Sequence, residues 1–93
     1  MLLCLDVGNS QIYCGVYDGD ELAVQFRRTS TVRSSSDELG VFLRSALREN
    51  GVAPERIRQI VICSVVPDML YSLRSCCQKY FDLDPLIMRP GIE

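Results

Sequence analysis

The sequence predicts an α/β domain built on a mixed β-sheet, and three observations carry that prediction. Apolar residues first alternate with a period of two, as in half-buried strands. They then recur at helical spacing behind a capping signal. A continuous β-branched run follows, of the kind found in a central parallel strand. The period changes at a polar connector, Thr29-Ser30-Thr31-Val32-Arg33-Ser34-Ser35-Ser36.

Residues 2–8 are apolar nearly throughout, which predicts a strand buried on both faces. Residues 11–18 alternate, with Ile12, Cys14 and Val16 against Gln11, Tyr13 and Tyr17. Residues 21–28 alternate again, with Leu22, Val24 and Phe26 against Glu21, Gln25 and Arg27. Gly8-Asn9-Ser10 and Asp18-Gly19-Asp20 supply the intervening turns, so these three strands form an antiparallel meander. Ser35 and Glu38 have the S-x-x-E spacing of a capping box. Leu39, Phe42, Leu43, Ala46 and Leu47 then make one apolar helical stripe, which Asn50-Gly51 closes. Residues 60–66 are the continuous β-branched run. Pro67 suits a first helical position, with Asp68 favouring the positive dipole end. Leu70, Leu73, Cys77 and Tyr80 share one face of this second helix, and Pro85 to Met88 form a last short strand. The order is β-β-β-α-β-α-β, the ribonuclease H-like arrangement shared by nucleases and by actin and sugar-kinase lobes.

Composition excludes several chemistries. The chain has 93 residues, a net charge of −2, no histidine and one lysine, Lys79. A Ser-His-Asp or Cys-His pair, an H-E-x-x-H zinc site and a histidine proton shuttle are therefore ruled out. Lys79 lies between Gln78 and Tyr80, so there is no Walker A loop. No basic run offers a nucleic-acid face, and no stretch approaches the ~18 apolar residues of a membrane span. The five cysteines, Cys4, Cys14, Cys63, Cys76 and Cys77, are odd in number and follow no export signal. They read as reduced thiols in a cytoplasmic chain, with Cys4, Cys14 and Cys63 as small buried hydrophobes and Cys76-Cys77 on different faces of a helix. The length suits one small domain but is short for an enzyme that closes two lobes on a substrate. The ending Met88-Arg89-Pro90-Gly91-Ile92-Glu93 does not read as a domain terminus.

The informative stretch is Asp6-Val7-Gly8-Asn9-Ser10-Gln11-Ile12-Tyr13. Asp6 ends an apolar strand, where a carboxylate must be bonded, paired or aimed into a cleft that admits a cation. Gly8 and Asn9 accept positive φ, which would turn backbone amides toward phosphate oxygens, and Ser10 adds a hydroxyl. Two readings stand. One is a Mg²⁺-phosphate site with Asp6 toward the metal. The other is an ordinary hairpin in which Asp6 accepts bonds from the Asn9 and Ser10 amides. A D-x-D phosphatase is excluded because Gly8 stands where the second carboxylate belongs. A two-metal nuclease is disfavoured because residues 60–66 bring no carboxylate. A nucleotide-binding kinase lobe fits best. Asp18, Asp20 and Glu21 read as a solvated turn. Arg27, Arg28 and Arg33 read either as phosphate contacts or as a solvated strand end. Ser64 reads either as a cleft residue or as structural. Tyr71, Tyr80 and Phe81 read as core or subunit contact.

Asp6-Val7-Gly8-Asn9-Ser10 resembles the D-x-G-N-T phosphate motif of type III pantothenate kinases, in the acetate and sugar kinase/actin superfamily. Gly15-Val16-Tyr17-Asp18-Gly19, Ser36-Asp37-Glu38-Leu39 and Ile62-Cys63-Ser64-Val65-Val66-Pro67 extend the likeness over essentially the whole chain. Ser10 replaces the usual Thr and keeps its hydroxyl, and Cys63 replaces a Ser. The resemblance implies transfer of the γ-phosphate of ATP to pantothenate, the first step of coenzyme A synthesis. It implies Mg²⁺, a monovalent cation (K⁺ or NH₄⁺), and a cytoplasmic homodimer that binds neither nucleic acid nor membrane. It also implies that residues Asp6 to Tyr13 line the ATP phosphates, with Asp6 toward the metal. The family's catalytic base lies in a G-A-D-R motif, and its second phosphate motif is similar to D-F-G-T-A-T; this sequence contains neither. Residues 1–93 are therefore expected to be the N-terminal nucleotide-phosphate-binding lobe of a longer two-lobe kinase, inactive alone. The rival expectation is a non-enzymatic nucleotide-binding or regulatory module of the same fold.

Overall fold

A computed structural model describes residues 1–29 and 33–89. The expected order is the observed one: β1 (Leu2–Val7), β2 (Gln11–Asp18), β3 (Glu21–Thr29), α1 (Ser36–Glu49), β4 (Gln59–Ser64), α2 (Leu70–Phe81) and β5 (Leu86–Met88). The five strands form one sheet in the order β3-β2-β1-β4-β5. β1 runs antiparallel to β2 and parallel to β4, and β4 runs parallel to β5. Single 3₁₀ turns at Pro54–Arg56 and Pro67–Met69 are additions, so the second helix opens with a 3₁₀ turn at Pro67. Residues 30–32 of the polar connector and 90–93 of the C-terminal tail lie outside the described residues.

Local chemistry sets the helix ends. Ser35 Oγ accepts a bond from the Glu38 amide at 3.1 Å, and a Glu38 carboxylate oxygen accepts from the Ser35 amide at 2.9 Å. This reciprocal box satisfies two of the orphan donors of α1. At the other end Gly51 takes φ +82°. Its amide donates to the Arg48 carbonyl at 3.0 Å, and the Val52 amide donates to the Leu47 carbonyl at 2.9 Å. These two bonds form a Schellman stop. Asp82 ends α2 in the left-handed region at φ 55°, which nothing in the sequence pattern signals.

One core joins the sheet to both helices. Leu3, Leu5 and Val7 of β1 pack with Leu39, Leu43 and Leu47 of α1 and with Leu73, Cys76 and Cys77 of α2. Cys76 and Cys77 are both buried. Burial pushes the Cys14 thiol up to about 12, as a small hydrophobe in this core.

Because both helices lie on one face, the other face of the sheet is open. This corrects the expectation for residues 2–8. Leu2 and Cys4 are half-buried and Asp6 is exposed, so β1 is covered on one side only. Val61 and Cys63 of β4 stand on the same open side and are half-buried. The alternation expected through β3 also breaks. The β2–β3 register shifts at Val16/Tyr17, pairing Val16 with Val24 but Tyr17 with Leu22. Ala23 is the extra residue, and it sends Leu22 away from Val24 and Phe26 to the open side.

The helices meet where Gly40 of α1 faces Tyr80 of α2. A Cβ at Gly40 would run into the Tyr80 ring. The ring is held by its hydroxyl, which donates to Asp37 Oδ1 at 2.7 Å, while Lys79 Nζ donates to the same oxygen at 2.8 Å. Arg44 donates to the Tyr80 carbonyl at 2.7 Å and to Glu55 at 3.1 Å, tying the end of α2 back to α1. An exposed Gly→Ala change in a helix ordinarily stabilises. Here Gly40→Ala is expected to destabilise by about 1–3 kcal/mol, read by urea denaturation, because the ring must move.

The Asp37 cluster gives a pH signature. The Lys79 bond first, and then the Tyr80 bond, hold the Asp37 carboxyl below its ordinary value. The same bonds raise Lys79 and Tyr80 above theirs. A lowered carboxyl contributes stability above its unfolded pKa that is lost as pH falls through the folded one. The raised groups contribute stability below their unfolded values that is lost as pH rises through the folded ones. The difference in thermal midpoint between the native protein and Asp37→Asn should be largest between about pH 5 and pH 9 and close on both sides.

Candidate functional site

The candidate site lies where β1 ends and β2 begins, on the open side of the sheet. Asp6 pairs across the ladder with Tyr13 on β2 and with Cys63 on β4. Neighbouring residues in such a row face the same way, so Asp6, Tyr13 and Cys63 form one cross-strand line. Tyr13 pairs onward with Arg27 of β3, and Cys63 with Met88 of β5. Asp6 is exposed and makes no hydrogen bond or ion pair with the described residues. A hairpin does form across this turn, but without the Asp6 bonds to the Asn9 and Ser10 amides that the hairpin alternative allowed.

The turn differs from the expectation in its backbone. Among the described residues positive φ occurs at Gly19, Gly51 and Asp82, and neither Gly8 nor Asn9 adopts it. The Gly8 amide is spent on the Gln11 carbonyl at 2.9 Å. The Asn9 and Ser10 amides and the Ser10 hydroxyl have no partner in the described residues, and both residues are exposed. The donor set is thus two amides and a hydroxyl at the tip rather than a left-handed nest. Gly8 has room for a side chain, since a Cβ there would meet only the Gln11 carbonyl at 3.5 Å. Neither backbone conformation nor packing in this fold requires glycine at this position.

Val7 and Ile12 are buried on the helix side, so they anchor the two ends of the turn rather than line it. Gln11 begins β2 on the open side. Its Oε1 is buried and has no hydrogen-bond partner. A buried amide oxygen left bare carries a desolvation penalty that a donor from outside would relieve.

A cavity of about 360 Å³ extends from this row along the open face, lined by Asp6, Tyr13, Gly15, Leu22, Gln25 and Cys63 among others. It exists because Gly15 has no side chain; a Cβ there would meet the Leu22 side chain at 3.2 Å. A second hollow of about 270 Å³ adjoins it between Tyr13, Gln25 and Arg27.

The remaining candidates separate cleanly. Ser64 is buried, accepts from the Val66 amide at 3.0 Å and donates to the Val66 carbonyl at 3.1 Å where the chain leaves β4, and it also borders a hollow with Pro67 and Arg89. Asp18, Asp20 and Glu21 are exposed at the β2–β3 turn. Tyr71 is 82% exposed, which removes the core half of the core-or-subunit-contact expectation for it. No group of three or more His, Cys, Asp or Glu side chains that could hold a metal occurs among the described residues. No helix of the described residues is long and apolar enough to cross a membrane.

A mixed sheet in this strand order, with both helices on one face, is the sugar kinase/actin-like fold. Solved structures share the fold. A ROK hexokinase from Thermus thermophilus superposes with a TM-score of 0.65 at 18% identity, over 95% of this chain and 34% of its own. An Aquifex aeolicus PPX-GPPA enzyme superposes with a TM-score of 0.53 at 13% identity, over 96% of this chain and 36% of its own. Within that class, the type III pantothenate kinase family model matches residues 2–93, and the chain belongs to this family. The type III pantothenate kinase of Legionella pneumophila (strain Corby) is 61% identical over all 93 residues, and that of Elusimicrobium minutum is 52% identical. The chain spans 36% of the length of each.

Proposed function

We propose that this chain is the N-terminal lobe of a two-lobe kinase that transfers the γ-phosphate of ATP to pantothenate. The observation that carries the reading is the free Asp6 carboxylate beside the unpartnered Asn9 and Ser10 donors, in a chain of this family. In it, residues Asp6 to Tyr13 form the phosphate grip. The Asn9 and Ser10 amides and the Ser10 hydroxyl donate to phosphate oxygens, and Gly8 lets them approach. Gln11 can give its side-chain NH₂, its bare Oε1 being an acceptor that a phosphate does not satisfy, while Val7 and Ile12 hold the turn from below. Asp6 would hold the Mg²⁺ that accompanies ATP. That metal supplies charge neutralisation on the phosphates during transfer.

The site residues fit this assignment because a phosphate grip needs amides, a hydroxyl and a carboxylate, and no histidine. Two further parts belong to the remainder of a protein as long as the relatives: a catalytic base and a second phosphate motif. The 93 residues alone are accordingly inactive. A monovalent cation (K⁺ or NH₄⁺), a homodimer and a cytoplasmic setting complete the reading.

The test is ATP-dependent phosphorylation of pantothenate by the full-length protein. Asp6→Asn should lower turnover at least about 100-fold with the thermal midpoint retained; near-native turnover would remove Asp6 from the metal. Gly8→Ala should leave stability within about 0.5 kcal/mol and raise KM for ATP. A protein that binds ATP but never phosphorylates pantothenate would be a nucleotide-binding module instead.

A further inference from the structure

We infer that Arg27 is a phosphate-contacting residue of the nucleotide site, a role that rests on the kinase reading above. Sequence alone sets Arg27 and Arg28 side by side and cannot separate them. Strand alternation does. Arg28 turns to the helix face, where its guanidinium lies 5.3 Å from the Phe42 ring centroid and reaches the Ser34 hydroxyl at 3.4 Å. Arg27 turns to the open face. It is exposed and forms no hydrogen bond, ion pair or ring contact with the described residues.

Its position matters because of the row in which it stands. The ladder puts Arg27 beside Tyr13, and Tyr13 beside Asp6. Two strand spacings separate Arg27 from Asp6, about 10 Å between backbones. Gln11, with its bare Oε1, is a diagonal neighbour on the same face, one pair nearer the turn. The hollow lined by Tyr13, Gln25 and Arg27 shares Tyr13 and Gln25 with the cavity that reaches Asp6, so the guanidinium and the carboxylate border one stretch of the open face.

Charge supplies the second half of the argument. A nucleoside triphosphate with one Mg²⁺ still carries net negative charge, and Asp6 adds another. The turn contributes only neutral donors. Arg27 is the basic side chain that the strands present on this face; Arg28 is engaged on the other, and Arg44 and Lys79 are held by Glu55 and Asp37. A guanidinium offers several donors in a planar fork, which suits a phosphate and keeps its charge at every working pH.

The experiment uses the full-length protein, with steady-state kinetics in ATP and in pantothenate and with MgATP binding by calorimetry. Arg27→Gln should raise KM for ATP and weaken MgATP binding about tenfold or more, leave KM for pantothenate and the thermal midpoint unchanged, and recover in part in Arg27→Lys. MgATP affinity within twofold of native would overturn the assignment. So would a lowered thermal midpoint with unchanged MgATP affinity, since Arg27 would then be pairing with another part of the protein. The two readings fail separately. A native protein that binds MgATP without phosphorylating pantothenate sinks the kinase reading, while Arg27→Gln binding still decides this one. A native protein that binds no MgATP overturns both.

Discussion

Successive side chains of a strand point to opposite faces of its sheet, and in β1 that two-residue period sorts the chemistry of the domain. Leu3, Leu5 and Val7 go to the helices and are buried; Leu2, Cys4 and Asp6 go to the open side. The same split passes to β2 and β4 through the ladders that flank β1, so one register decides where every neighbouring side chain faces. A slip of one residue would bring Asp6 into the core and Leu5 to the surface. The apolar half of the pattern therefore protects the polar half. Burial of three aliphatic side chains fixes the strand, and the strand fixes the carboxylate.

The helices make that register hard to lose. α1 and α2 pack on the same face as one layer, and Gly40 of one faces the Tyr80 ring of the other. Asp37 and Arg44, both from α1, hold the end of α2 through the side-chain hydroxyl and the carbonyl of that tyrosine. The bonds are exposed or part-buried and individually weak. Their effect is to keep the aromatic ring where the glycine leaves space for it, with the aliphatic core beneath.

Much of this was legible in the residues. The element order, the Ser35–Glu38 box, the Gly51 stop and the turn at Gly8-Asn9-Ser10 all follow from short-range chemistry, which a sequence carries in full. What was not legible depends on tertiary placement. Leu2, Cys4, Val61 and Cys63 make β1 and β4 read as strands covered twice, yet both helices took one side. The bulge at Ala23 adds one residue to a period-two count and so reverses Leu22 without changing the composition. The turn was read as left-handed because glycine and asparagine permit it, but permission is not a requirement, and its open geometry needs no positive φ. The Gln11 oxygen had no sequence signal, since burial without a partner is a property of surroundings.

Of the described strands, the central one is also the first made. β1 pairs with β2 across a two-residue bend, but its parallel partner begins only at Gln59, paired with Leu2. Closing that contact requires ordering the whole intervening meander and α1, and loop closure on this scale is slow beside hairpin formation. During synthesis the meander can form early, with one edge of β1 bare. The strand that later presents Asp6 thus spends its first moments as an unpaired edge, the geometry most open to pairing with the wrong chain.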